Sequence, residues 1–257
     1  MPKATTNYPS TVVNGKRHKN NGWHPKGKRA YRNAERTIIN CLQYYKEPRL
    51  YHVVFSGGSH QDHMAVRVAL CQRLTRKRLP HEWFSARERS ADKGDHLHVF
   101  FIVDSTATRA QGVLNTYDDC WLALECSSRN LRKPWINGPR NEEIHGGNQH
   151  AALPYLGPNN RATPQGIERL VDALEWMSYI YKARDKHDEE WKSDGQIFAA
   201  SRPQRGRQTP SATTANHQLR CGNAQPIQSG DHLLDKLIEN AQHFHRESVL
   251  KPVPLLH

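Results

Sequence analysis

Apolar positions along the chain first fall into a helical rhythm. Tyr31, Ala34, Ile38, Leu42 and Tyr45 lie three or four residues apart, and Pro48 closes the pattern. The run 50–55 is short, rich in Tyr, Val and Phe, and ends at Gly57-Gly58, which predicts a strand. A second helix is expected over 60–78, with Met64, Val68, Cys71 and Leu74 facing inward. Segments 82–89 and 96–103 then read as two strands joined by the polar turn 90–95. In the second of these, Leu97, Val99, Phe101 and Val103 share one face, and His96, His98, Phe100 and Ile102 share the other. Apolar groups on both faces mark an interior strand covered on both sides.

A third helix is expected over 106–127, with Ala110, Val113, Leu114, Tyr117, Trp121 and Leu124 inward. Residues 131–160 are rich in Gly, Pro and Asn and read as loops with one or two short strands. The last long helix opens on Thr163 as cap and Pro164 as first residue, has Glu168 near its positive end, and runs to about 186. Residues 193–229 read as a linker, and 231–246 as a short amphipathic helix. Paired antiparallel strands with helices laid on them give an α+β fold, a central antiparallel sheet flanked by helices.

Charge is unevenly spread. The 257 residues carry a formal +12, and the first thirty contribute +7 through Lys3, Lys16, Arg17, Lys19, Lys26, Lys28 and Arg29 without one acid. Residues 191–257 add +3, so the middle of the chain is close to balance at +2. The expected organisation is a basic flexible arm over 1–30, a folded domain over 31–190 and a basic tail over 191–257. Such flanks suit the neutralisation of nucleic-acid phosphates, and equally suit a solubilising role. No apolar run approaches a membrane span, and the first residues lack the apolar core of a signal peptide, so secretion is not expected. Five cysteines without a CxxC pair argue against a zinc finger or a disulfide framework. A reducing cytoplasm is the expected setting.

His96 and His98, two apart on a strand, point to one face and can share a metal ion. The triplet alone is a weak signal, since about one is expected by chance and His243 and His245 form another. Its context is stronger. By alternation Glu88 lies on the face of Phe84 and Ala86, and across a hairpin it can project beside His96 as an oxygen ligand. Two imidazoles and a carboxylate suit Mg²⁺ or Mn²⁺ holding a phosphate oxygen, and suit other divalent metals too. His52, His60, His63, His81, His145 and His150 lack such spacing and read as surface or hydrogen-bonding histidines.

On the last helix, Ile167, Leu170, Val171, Leu174, Met177, Ser178 and Tyr181 cluster on one side at 100° per residue. Asp172, Glu175, Tyr179, Lys182 and Lys186 cluster on another. Tyr181 therefore reads as core and Tyr179 as a polar-face residue. A phenol, with an ordinary pKa of about 10, is a poor nucleophile unless a cation stabilises its anion. Lys182, one turn on, is placed to serve the phenolate or a phosphate.

His-x-His on a strand, followed some eighty residues later by Tyr-x-x-Lys, resembles the HUH endonuclease superfamily. The nearer likeness is to the replication-initiation proteins of filamentous phages and related prophages. It is carried by Trp83 to Ser90 with Ala86-Arg87-Glu88, by Asp95 to Val103 with His96-Leu97-His98, and by Ser178 to Lys186 with Tyr179-Ile180-Tyr181-Lys182. The resemblance implies a ferredoxin- or RRM-like core with His96, His98 and Glu88 as ligands of Mg²⁺ or Mn²⁺. It implies Tyr179 as the nucleophile on a DNA phosphodiester, assisted by Lys182. It further implies single-stranded or origin DNA as substrate, a 5′-phosphotyrosine intermediate, and a 3′-hydroxyl offered to host replication machinery in a bacterial cytoplasm. Lys16, Arg17, Lys19, Lys26, Lys28 and Arg29 are the expected DNA-contacting cations. The chain departs from those relatives at Tyr181, where they carry a small residue, which leaves Tyr181 open as a substitute nucleophile. No GxxxxGK[ST] helicase loop is present. The alternatives are a non-catalytic DNA-binding regulator on the same fold, or a hydrolase of small phosphoesters.

Overall fold

The computed structural model describes residues 12, 13, 16, 17, 24–90, 94–157, 163–182 and 197–201. Its elements, in chain order, begin with a two-residue antiparallel pair, β1 (Val12–Val13) and β2 (Lys16–Arg17). Then come α1 (Gly27–Leu42), β3 (Pro48–Ser56), α2 (His60–Arg76), β4 (His81–Ser90) and β5 (Gly94–Asp104). The chain continues through α3 (Arg109–Tyr117), α4 (Cys120–Ser127), β6 (Trp135–Asn137), α5 (Glu142–His145) and β7 (Ala151–Ala152). Helix α6 (Pro164–Ser178), a 3₁₀ turn (Tyr179–Tyr181) and β8 (Phe198–Ala200) complete it. The fold is α+β, with a six-stranded antiparallel sheet ordered β6-β3-β5-β4-β8 and β7 pairing on β3.

Strand β5 is in the middle, as its doubly apolar pattern predicts. Leu97, Val99, Phe101 and Val103 join the core shared with α2, α3 and α4, whereas Phe100 and Ile102 join the core shared with α1 and α6. Covering helices on both faces are what such a strand requires, because neither face can meet water without exposing large apolar area. The β4–β5 register sets Glu88 opposite His96 and Ala86 opposite His98. Between β3 and α2 the backbone turns through Gly57 and Gly58 at φ 78° and 57°, a left-handed conformation that glycine adopts without strain. Ser59 then caps α2 reciprocally with Asp62.

Several expectations are corrected. Helix α1 starts at Gly27, so Lys28 and Arg29 belong to its first turn rather than to an arm, and it ends at Leu42, with Pro48 opening β3 instead. On α2, Leu74 is buried and Met64 and Cys71 pack partly buried against the core as expected, but Val68 is exposed, and His63, Val66, Arg67 and Leu70 are buried too. Polar side chains take inner places there because each has a use: His63 bonds the Gly57 carbonyl at 2.6 Å, and Arg67 lies over the Trp83 ring at 3.5 Å. The expected helix 106–127 is two helices. Asp119 breaks it by accepting from the Trp121 amide, and after this cap Leu122 and Cys126 face inward while Leu124 is exposed. Helix α6 stops at Ser178. Part of the expected linker, Phe198–Ala200, is an edge strand on β4, which carries the folded unit past 190. The expected helix 231–246 lies outside the described residues.

Candidate metal centre and tyrosine site

Adjacent strands deliver the three expected ligands to one point. Glu88 Oε2 is 3.4 Å from His96 Nε2 and 3.1 Å from His98 Nε2. All three residues are buried, and their ligand atoms lie within 4.8 Å of one another. The group can hold a metal ion, and its donor chemistry fits one: a carboxylate and two imidazole nitrogens converge, with each imidazole held from behind. His96 Nδ1 bonds the Gly94 carbonyl at 3.0 Å, and His98 Nδ1 bonds His52 Nε2 at 2.9 Å. Tying Nδ1 leaves Nε2 as the ligating nitrogen on both rings.

His52 is the residue that spacing alone did not single out as part of a site. It sits on β3, whose register pairs Val54 with His98 and His52 with Phe100. Its ring stacks on Phe100 at 4.2 Å and meets the Trp176 edge at 5.7 Å, and Asn137 lies 3.5 Å from its Nδ1. Burial, joined by neighbouring His98 and only opposed by Glu88, holds its pKa well below the ordinary histidine value. A neutral His52 can accept the His98 Nδ1 proton, which is what a ligating His98 needs. The signal was the alternation Leu50–His52–Val54, legible only once β3 is known to flank β5.

The C-terminal end of α6 lies over the same face. The Tyr179 ring is 6.4 Å from the His98 ring, and Tyr179 is 40% exposed. Tyr181 is buried, edge-on to Tyr31 at 5.8 Å and beside Phe198 at 5.4 Å. Burial pushes its phenol far above the usual range. The two tyrosines thus separate as the helical spacing predicts, and Tyr181 is not at the site. Lys182, expected within the helix, is instead extended; its Nζ nevertheless lies 5.8 Å from the Tyr179 ring centre. A second cation missed in the sequence, Arg140, stands at the same distance. Partial burial lowers the Lys182 pKa; Glu175 pulls the other way and Arg140 adds to the lowering. Asp172, the other acid on this arc, is taken up by His145 at 2.9 Å. Of the expected DNA-contacting cations, Lys26 caps α1 and Lys28 and Arg29 are exposed in its first turn, Lys16 and Arg17 form β2, and Lys19 lies outside the described residues.

No protein-family model, curated protein or solved structure matches the chain. Among the described residues no helix is long and apolar enough to cross a membrane.

Proposed function

We propose that the protein is an HUH-type endonuclease and strand transferase that initiates rolling-circle replication by nicking and rejoining single-stranded DNA, in the manner of the filamentous-phage initiators it resembles. The observation that carries the reading is the 6.4 Å approach of the Tyr179 ring to His98, next to the Glu88–His96–His98 group. A nucleophile and a metal-binding group on one face fit phosphoryl transfer. In this reading the Tyr179 oxygen attacks the scissile phosphorus and gives up its proton. The P–O3′ bond breaks, and the departing oxygen leaves as a 3′-hydroxyl. The 5′-phosphate remains on Tyr179 until a later 3′-hydroxyl attacks it and restores both the phosphodiester and the phenol. Lys182 and Arg140 stabilise negative charge on the phenol and on the phosphate. What Mg²⁺ or Mn²⁺ supplies when held by Glu88, His96 and His98 is polarisation of a phosphate oxygen. The 3′-hydroxyl would be used by host replication machinery in a bacterial cytoplasm.

The test is a covalent adduct. Incubated with Mn²⁺ or Mg²⁺ and a labelled single-stranded DNA pool, the protein is expected to give a denaturant-stable protein–DNA band. Tyr179→Phe is expected to abolish the band, while Tyr181→Phe retains it. An adduct that survives Tyr179→Phe removes the assigned nucleophile. Chelator-insensitive DNA binding with no adduct on any strand would instead favour a non-catalytic regulator.

A further inference from the structure

Helix α1 breaks two helix rules in the same direction. Its first turn holds Lys28 and Arg29 with no acid, although the N-terminal end of a helix is the positive end of its dipole. Its last turn holds no basic residue. Helix α2 follows the rule, with Asp62 first and Arg73 and Arg76 last. In addition, Lys28, Arg32 and Arg36 stand at i, i+4 and i+8, where like charges destabilise a helix. With Arg29 they fall within an arc of about 100° on the side away from Tyr31, Ala34, Ile38 and Leu42. All four are exposed, and Glu35 is the one acid in the helix. An anion seated on these cations would offset that cost.

The position of α1 says which anion. The His24 amide bonds the Tyr181 carbonyl at 3.2 Å, and a Cβ on Gly27 would run into that same carbonyl. The first turn of α1 is therefore packed backbone to backbone on the turn that carries Tyr179. We infer that the Lys28–Arg29–Arg32–Arg36 face of α1 is a track for the phosphates of the single strand that continues from the Tyr179 site. From Lys28 to Arg36 the helix rises about 12 Å, long enough to meet more than one phosphate of an unpaired strand. The inference rests on the nuclease reading for the identity of its ligand.

It is tested in the full chain carrying Tyr179→Phe, without divalent metal, so that binding is read apart from cleavage. Affinity for a fluorescent single-stranded oligonucleotide is measured across salt concentrations for this parent and for Arg29→Gln/Arg32→Gln/Arg36→Gln in the same background. The slope of log K against log salt is expected to flatten by about 2, three lost contacts at roughly 0.7 each. Affinity at 100 mM salt should fall at least ten-fold, by order of magnitude. The melting temperature should hold or rise, because like-charge repulsion is relieved. An unchanged slope or a lowered melting temperature each overturns the inference. A wild-type chain that forms no adduct, while these slopes still differ, sinks the catalytic reading and leaves the phosphate track standing.

Discussion

His52 shows how much one unremarkable side chain can decide. It reaches no substrate, yet its 2.9 Å bond to His98 Nδ1 is what holds the His98 ring with Nε2 toward Glu88. A ring free to flip would present the wrong nitrogen about half the time and would lose the alignment of the second imidazole. His52→Phe keeps the stack on Phe100 but removes the acceptor, so Mn²⁺ affinity measured by titration calorimetry should fall about 10- to 100-fold. His52→Gln restores an acceptor and should recover most of it. Equal affinity in wild type and His52→Phe would show that His98 is held by other means, and the metal-free melting temperature controls for misfolding.

At the scale of elements, the site is assembled by a hairpin and by a helix end, and these were legible to different degrees. The hairpin was readable because alternation leaves no choice: Phe84, Ala86 and Glu88 share a face, His96 and His98 share a face, and a short polar turn fixes the register. The helix end was readable only in part. Spacing separates Tyr179 from Tyr181, but no local pattern records that α6 gives way to a 3₁₀ turn at Tyr179 and that this turn meets α1. The inward stripe of α2 was read in part: Met64, Cys71 and Leu74 meet the core, but Val68 does not, and Arg67 is taken inward by Trp83 on a neighbouring strand. Arg140 is placed by a loop whose path tertiary contacts alone define. The contact of α1 with the 3₁₀ turn gives a test at this scale. Gly27→Ala forces a Cβ against the Tyr181 carbonyl and should cost about 1–3 kcal/mol in urea unfolding. Thr163→Ala removes the α6 cap at a cost of about 1 kcal/mol, far along the helix from the turn. If α1 positions Tyr179 and the proposed adduct forms there, its yield falls with Gly27→Ala and holds with Thr163→Ala; equal yields would separate the docking of α1 from the placement of Tyr179.

The whole molecule is built to lose stability in acid. His150 accepts from Arg49 at 2.8 Å, and burial, followed by the charges of Arg49 and His145, lowers its pKa from 6.5 to about 4. The native state therefore refuses a proton that the unfolded chain takes up, so stability is full above about pH 6.5 and falls between there and about pH 4. The loss amounts to at most about 3 kcal/mol. A second window lies lower. Burial works to raise the Asp95 carboxyl, but hydrogen bonds and charge from Arg89 and Arg87 prevail and hold it at about 2. Its contribution is present above about pH 3.8 and disappears as pH falls through 2. The formal +12 at neutral pH grows as the medium is acidified, and this self-repulsion also acts in the upper window. His150→Gln separates the two effects, because glutamine can still accept from Arg49 but cannot be protonated. Urea midpoints of the parent should drop between pH 6.5 and 4, and the drop should shrink in His150→Gln, in high salt as in low. A variant that loses as much as the parent would assign the acid sensitivity to overall charge, which added salt would then relieve.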